Sequence, residues 1–523
     1  MPTAADLVLT GATVHTLDPA HPRATAVAVT DGLITAVGDD TDVREWRGAR
    51  TEILDLGGAT LTPGLTDAHS HPVWGLEMAT GTDLSTVTDL AGLRAALRAA
   101  DRPGGWILGY GLEHNAFEGH PIHHDLIEAA VPGVPVCLRL YDGHSALVSA
   151  TALTAAGIEG PRSFDQRAEI VTGADGRPTG HLIEHAAIDL VTRVLPAEPL
   201  AERRARLLAL LTSMAATGLT SAHVMDLGGD ALNLLTAVED TTHLPLRLRL
   251  SPWCMPGATD ADLAGLIDLQ RHAGRDWRVD GVKLFMDGTV EGGTAWLDHA
   301  DCHGQGTDAF WPDPAAYSAA VRTLHDAGVP TATHAIGDAA VRHVLDTVAT
   351  LGPGGPRHRI EHIETVPDDQ LPRFAALGVV ASMQPPHAAY TRPDHSDEWS
   401  RRLGPTRAAR AWRCRALRDA GATLALGSDW PIAHYDARQI LTTARAPRGA
   451  SPSPGLTALM ALEGLTTHAA LAAGEESHTG RITPGHRADL TAFALNPLTA
   501  GPDEVAEAPV LLTTVGGRVV HRA

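Results

Sequence analysis

Residues 5 to 62 carry short runs in which apolar and polar positions alternate, ADLVLTGATVHTL, TAVAVTDGLITAVGDD and TEILDLGGATLTPG, broken by turn signals. A period of two puts every second side chain on one face, so these runs predict strands, and the Asp-Gly inside the second predicts a tight hairpin. The same texture returns only at the far end, in RADLTAFAL and VLLTTVGGRVVHRA. Residues 1–62 and 483–523 are therefore expected to form one small β-sandwich domain built from both termini.

Between them the pattern changes to a repeated unit in which a helical stretch ends at Gly and an apolar run follows at once: SMAATGLTSAHVMD, LHDAGVPTATHAIGD, FAALGVVASMQP and LRDAGATLALGSD. Gly is the usual residue just beyond a helix C-terminus, and short strands alternating with longer helices imply parallel pairing through right-handed crossovers. Either a (β/α)8 barrel or an open doubly wound sheet satisfies this. Polar residues decide between them, because His71, His144, Asp226, Lys283, His334, His362 and Asp429 all fall where strands are expected to end. Chemistry spread over so many strands favours a TIM-like α/β barrel, which gathers every strand C-terminus at one mouth. Nine candidate strands, including LPLRLRLS, compete for eight places. The barrel is assigned to residues 63–482, with a lid insertion around 75–200 that includes the His-rich GYGLEHNAFEGHPIHHDL at 109–126.

Length agrees with one large and one small domain, since 523 residues exceed a single ordinary core. The formal net charge of −21 argues against nucleic acid or an anionic membrane as partner and leaves a small uncharged or cationic substrate easier to accommodate. Four separated cysteines suggest neither a disulfide framework nor a thiolate metal site. An early Asp6 and the lack of a long apolar span lead to the expectation of a soluble, cytoplasmic protein, with a homo-oligomer left open.

The candidate chemistry begins in PGLTDAHSHP, where His69 and His71, two apart on a strand, face one point. Imidazole is the commonest neutral-pH ligand for zinc and similar ions. His334 in TATHAIGD, His362 in RIEHIE and Asp429 in LALGSDWP end further apolar strands, and five such residues facing one mouth make a metal site the natural reading. GVKLFMDG holds the one lysine of the chain, Lys283, in a sequence whose other basic side chains are arginines.

The order H-x-H, Lys, His, His, Asp on successive strands, inside a β domain built from both ends, resembles the metal-dependent amidohydrolase superfamily. VKLFMDG, HAIGD, RIEHIE, ASMQP and LALGSDWP are similar to the branch that contains the N-substituted formamide deformylases, and GRITPGHRADL extends the likeness toward the last β segment. The resemblance implies a carbamate on Lys283, formed with carbon dioxide, whose two oxygens bridge two metal ions. Only a neutral primary amine reacts in this way, which guanidinium cannot replace. It further implies that His69 and His71 hold one divalent ion, zinc by preference, that His334 and His362 hold a second, and that Asp429 ligates and shuttles a proton. His144 in YDGHSA either polarises the substrate carbonyl or is structural. Trp74 and Trp430 either wall the nitrogen substituent or pack the barrel.

The activity implied is hydrolysis of the C–N bond of a small, neutral N-substituted amide, N-formyl or N-acyl. A mononuclear deaminase of a cyclic amine and a non-catalytic scaffold are the alternatives. TVEGGTAWL and the 109–126 stretch depart from the pattern of the branch and are expected to face the substrate. Glu184 in GHLIEHAA either approaches the site or is a solvated helix carboxylate, the latter being the safer reading.

Overall fold

The structure, a computed structural model, describes residues 4–352, 354–392, 394–446 and 454–523. Both chain ends contribute to one pair of β-sheets. The first is ordered Leu33–Gly38, Ala26–Thr30, Leu7–Thr10, Glu52–Asp55; the second runs Arg518–Arg522, Val510–Val515, Leu490–Phe493, Thr60–Pro63, Thr13–His15, Arg23–Ala24. The Asp31-Gly32 hairpin forms as its sequence predicts, with both residues at positive φ, 51° and 76°, the twist that a two-residue loop requires. Leu9, Val27 and Leu61 from the front of the chain share one apolar core with Leu490 and Leu512 from its end. Leu490 pairs with Pro63, the Gly64 N–H donates to Asp489 O at 2.7 Å, and Thr491 Oγ1 donates to Gly218 O at 2.7 Å. The terminal strands thus lie directly behind the strand that carries His69.

The middle of the chain is mixed α/β, and its parallel strands fall into two sheets. One is ordered Trp277–Val279, Arg247–Leu250, Leu219–Val224, Leu65–Ser70; the other Val282–Phe285, Thr331–Ala335, Arg359–His362, Val380–Met383, Leu424–Leu426. Strands Trp277–Val279 and Val282–Phe285 are two pieces of one position, interrupted at Gly281, so the set occupies eight positions. The sheets are tied at both seams: Lys283 N–H donates to Pro252 O (2.9 Å) and Cys254 N–H to Lys283 O (2.8 Å), while Asp429 N–H donates to His69 O at 2.7 Å. Asp67 fixes the second seam, its Oδ1 accepting from the backbone N–H of both His69 (3.1 Å) and Ser428 (3.0 Å).

Helices enter these strands through the glycines expected. Gly378, at φ 65°, caps Leu371–Leu377 immediately before Val380–Met383, and Gly218, at φ 98°, lies so close to Thr491 that a Cβ there would meet its Cγ2 at 2.7 Å. The strands read as near-continuous apolar runs because helices cover their outer face; Leu207 and Leu211 of Leu200–Ala216 and Val344 and Leu345 of Asp338–Ala349 belong to the largest core.

The surplus ninth candidate strand was the one leading to His144, and it lies outside the parallel set. Val136–Leu140 and Ser145–Val148 belong to a separate six-stranded sheet ordered Glu169–Thr172, Pro178–Ile183, Ser145–Val148, Val136–Leu140, Ile107–Leu112, Thr82–Asp83. His144 sits in the antiparallel turn between two of its strands, a geometry that yields the same apolar-run-then-His pattern as a barrel strand. Among the described residues no helix is long and apolar enough to cross a membrane.

Candidate active site

At the C-terminal ends of the parallel strands lies a cavity of about 670 Å³, and His69, His71, Lys283, His334, His362 and Asp429 all contribute to its wall. His69 is inside Leu65–Ser70 and His71 just beyond it, so their side chains leave the same face of the chain. Each ring is oriented from behind by a buried carboxylate. His69 Nδ1 lies 2.6 Å from Glu361 Oε2, and His71 Nδ1 lies 2.9 Å from Asp226 Oδ2. A carboxylate accepts and does not donate, so each Nδ1 carries the hydrogen and each Nε2 exposes a lone pair. Those two Nε2 atoms converge on Asp429 Oδ1, at 3.3 and 3.2 Å.

Two imidazole lone pairs facing one carboxylate oxygen in a buried pocket repel unless a cation lies among them. Among the described residues His69 Nε2 has no hydrogen-bond partner, although it is fully buried. His69, His71 and Asp429 bring their ligand atoms within 4.8 Å of one another, and His362, His387 and Asp429 do the same on the other side of the shared carboxylate. The donor set, four imidazoles and a carboxylate that faces both groups, fits one or two divalent ions of the borderline class that includes zinc.

His387 went unnoticed in the sequence. It sits in the short turn of helix Pro385–Tyr390 after Val380–Met383, its Nε2 is 3.7 Å from Asp429 Oδ2 and without a hydrogen bond, and its ring stacks on that of His362 at 17°. Directly after Pro385-Pro386, it lies past the strand end that marks the other ligands in the sequence. His334 stands beside His362, ring centroids 4.4 Å apart, while its Nε2–H donates to Gly288 O at 3.0 Å. His362, Ile363 and Asp429 all adopt left-handed backbone, φ 75°, 50° and 60°. Such strain, about 1–3 kcal/mol per residue, persists where a site holds it in place.

Lys283 is the second residue of Val282–Phe285 and not its last, and its side chain is among the largest fully buried ones. None of the ion pairs within 4.0 Å among the described residues involves it; its Nζ lies 5.2 Å from the centre of the Phe285 ring. Burial pulls its pKa down to about 8, against the opposing charges of Glu361 and Asp429. Asp287, the acid nearest in sequence, is occupied elsewhere, accepting from the N–H groups of Ile336, Gly337 and Trp296 at 2.7 to 2.9 Å. Burial would also raise Asp429, but His69 and His71 outweigh it and hold its carboxyl well below the usual range.

A second group of side chains faces the cavity from the six-stranded sheet. His144 Nδ1 lies 2.7 Å from Glu184 Oε2, and its ring is 5.1 Å from that of His334. Burial would depress the imidazole, yet Glu184 and Asp142 outweigh it and raise its pKa to about 9. Glu184 is fully buried at φ 67°, at the start of His185–Thr192, which corrects its reading as a solvated helix carboxylate. His185, also unforeseen, packs between His144 and Trp253.

Of the two tryptophans, Trp74 lines the cavity and Trp430 does not. Trp430 packs over Gly75 and lies 6.3 Å from the Tyr435 ring; following Asp429 in sequence, it points away from the mouth. Trp253 takes the aromatic place opposite Trp74, with ring centroids 5.9 Å apart. From TVEGGTAWL, Thr289 and Glu291 reach the wall, and the Tyr141 hydroxyl donates to Glu291, whose carboxyl burial and the nearby Glu364 push up to about 8. The 109–126 stretch contributes no residue to that wall and stands behind it: Leu112 O accepts from the Tyr141 N–H at 3.0 Å, and His114 Nε2 lies 3.9 Å from Asp142 Oδ2.

The profile of the Amidohydrolase family matches residues 52–521 of the chain. Protein LONG AFTER FAR-RED 3 of Arabidopsis thaliana is 30% identical over 99% of this chain and 92% of its own length. N-substituted formamide deformylase of Arthrobacter pascens is 28% identical over 98% of this chain and 97% of its own. Among solved structures, an uncharacterized metal-dependent hydrolase from Pyrococcus horikoshii superposes with a TM-score of 0.74 at 22% identity, covering 95% of this chain and 99% of that one.

Proposed function

The chain belongs to the amidohydrolase family, and on that premise we propose that it hydrolyses the C–N bond of an N-substituted amide, an N-formyl or N-acyl amine, to a carboxylic acid and an amine. The observation that carries this is the convergence of His69 Nε2 and His71 Nε2 on Asp429, with both Nδ1 atoms committed to buried carboxylates. The deformylase similar over nearly its whole length supports the amide class. The eight strand positions, hydrogen-bonded at both seams, read as one (β/α)8 barrel with its mouth at this cavity.

His69, His71 and Asp429 would hold one divalent ion, zinc by preference; His362 and His387, with His334 beside them, would hold a second across the shared carboxylate. Such an ion supplies Lewis acidity and brings the pKa of water toward ~7. Lys283, buried and in no ion pair among the described residues, loses a proton readily enough for its neutral amine to add carbon dioxide, giving an N-carboxylate and one released proton. Asp429 takes the proton from the attacking water as its oxygen bonds to the amide carbon. It then passes that proton to the nitrogen as the C–N bond breaks. His144, protonated and held by Glu184, presents Nε2–H to the carbonyl oxygen as negative charge develops there. Trp74 and Trp253 give the nitrogen substituent an apolar wall and keep bulk water from it.

The test is metal-loaded protein assayed against N-formyl amines, N-acyl amines and aminated rings, with acid, amine and ammonia all measured. Formate or another acid appearing with an equal amount of amine is expected. Ammonia from an aminated ring, with no amide cleaved, would replace this reading by that of a deaminase.

A further inference from the structure

A smaller cavity, about 330 Å³, lies among the parallel strands away from the active-site mouth. Gly281, Thr331 and Arg359 in its wall stand at the N-terminal ends of Val282–Phe285, Thr331–Ala335 and Arg359–His362, and Ala472 joins them from the end of helix Thr467–Ala472. Two guanidinium groups, Arg249 and Arg359, and a single carboxylate, Asp280, belong to this wall.

Arg359 is balanced by Glu361, which accepts from its Nε and Nη2. Arg249 belongs to a larger group in which three guanidiniums share two carboxylates. Asp280 Oδ2 lies 2.6 Å from both Arg249 and Arg278, while Glu475 lies against Arg249, 3.3 Å from Arg278 and 3.1 Å from Arg487. Among the described residues no other acid comes within 4.0 Å of these three arginines; Asp489, beside them, is taken up by Arg247 at 3.0 Å. One positive charge is left over next to a buried cavity, an expensive arrangement without a counter-ion. Arg249 shows the strain, since burial and the neighbouring Arg278 pull its pKa down to about 9.

His223 adds a directed donor. Its Nδ1 lies 2.9 Å from Arg359 Nη1, and because a guanidinium only donates, Nδ1 accepts. Burial and the charge of Arg359 hold the imidazole well below its usual pKa, so the ring is neutral and its one hydrogen is on Nε2. His223 lines the cavity at 3% exposure, and among the described residues its Nε2–H makes no hydrogen bond. Much of the remaining wall, with Met225, Pro330, Ala332 and Ala472, is apolar, which suits a weakly hydrated ion better than a strongly hydrated one.

We propose that this cavity binds a small monovalent anion of the halide type, which accepts from His223 Nε2–H and from Arg249 and neutralises the surplus charge of the arginine group. The site is separate from the metal centre and does not depend on the amide-hydrolase reading.

The test uses metal-loaded protein with bromide and chloride as probes. Crystals soaked in bromide are expected to show anomalous density in the cavity between Arg249 and His223. In solution, either halide at constant ionic strength, with gluconate as the bulky reference anion, should raise the unfolding midpoint saturably. Arg278→Gln, at a position where the side chain is 42% exposed, removes the surplus charge and should abolish this dependence. His223→Asn, which still offers Arg359 an acceptor, should raise the half-saturating concentration at least about tenfold. An ordered water where bromide is expected, or bromide at the metal centre alone, overturns the proposal. So does a halide dependence that is unchanged in both folded variants.

Discussion

The Nδ1 of His71 and the Oδ2 of Asp226 stand 2.9 Å apart with both side chains buried. That contact fixes the tautomer of His71 and aims its Nε2 at Asp429, as Glu361 does for His69. Asp226→Asn and Glu361→Gln are near-isosteric but cannot offer the same charge, and outer partners of metal ligands typically contribute about 10–100-fold in metal affinity. Each variant should fold and lose affinity within that range, measured by competition with a chelator. Unchanged affinity in both would disconnect the carboxylates from metal binding.

Lys283→Ala should bind less metal and lose turnover, with part of both restored by a short carboxylic acid that occupies the emptied space. Metal analysis with and without added acetate or propionate reads this directly. Full metal content and normal turnover in the variant would remove the carbamate from the mechanism.

Asp429→Asn keeps the shape of the side chain and removes its basicity. General acid–base groups contribute about 10²–10⁴-fold, so kcat should fall by that factor while secondary structure is retained. A kcat within a few-fold of wild type would hand proton transfer to another group.

The His144–Glu184 pair gives a stability effect with a defined sign. Its imidazole is raised from 6.5 to about 9 in the folded chain. The stabilisation is fully present below about 6.5, declines as pH rises, and is lost once pH passes about 9. Unfolding midpoints of wild type and Glu184→Gln, measured from pH 6 to 10, should differ most at the acid end and draw together toward the alkaline end. A gap that widens with pH would contradict the assignment of a protonated His144.

The two tryptophans flanking the motifs should separate by measurement. Trp74→Ala is expected to raise KM for bulky N-substituents more than for N-methyl compounds, because its ring lines the cavity. Trp430→Ala should leave that ratio alone and lower stability by about 2 kcal/mol, since the indole packs over Gly75 and is only partly buried. Equal substrate discrimination in Trp74→Ala and wild type would free the cavity wall from this role.

What could be read from the sequence was whatever had a period or a turn signature. The Asp31-Gly32 hairpin and the glycines that end helices before parallel strands are local choices, fixed within a few residues. His69, His71, His334, His362 and Asp429 could be picked out because each follows an apolar strand, and the structure places them around one cavity. His387 follows the same strand rule one turn of helix later, beyond its reach. Glu361 was visible as a letter in RIEHIE, but its partner His69 is 292 positions away, and nothing local announces such a pair. His144 was misplaced because an antiparallel turn and a barrel strand end look alike over ten residues. Trp430 misled through adjacency to Asp429: the backbone turns at Asp429, φ 60°, and of the two only Asp429 lines the cavity.

The pairing of Leu490 with Pro63, just ahead of the strand that bears His69, also sets a timetable. On a ribosome the histidines of PGLTDAHSHP emerge early, whereas the strand that backs their own is made more than four hundred residues later. Until then the apolar faces of Leu7–Thr10 and Thr60–Pro63 lack the partners from Ile482, Leu490 and Leu512 with which they share a core. The nascent chain therefore carries unpaired strand edges for most of its synthesis, the condition under which chaperones are recruited. Metal uptake that needs the finished cluster becomes one of the last events in the life of the new polypeptide.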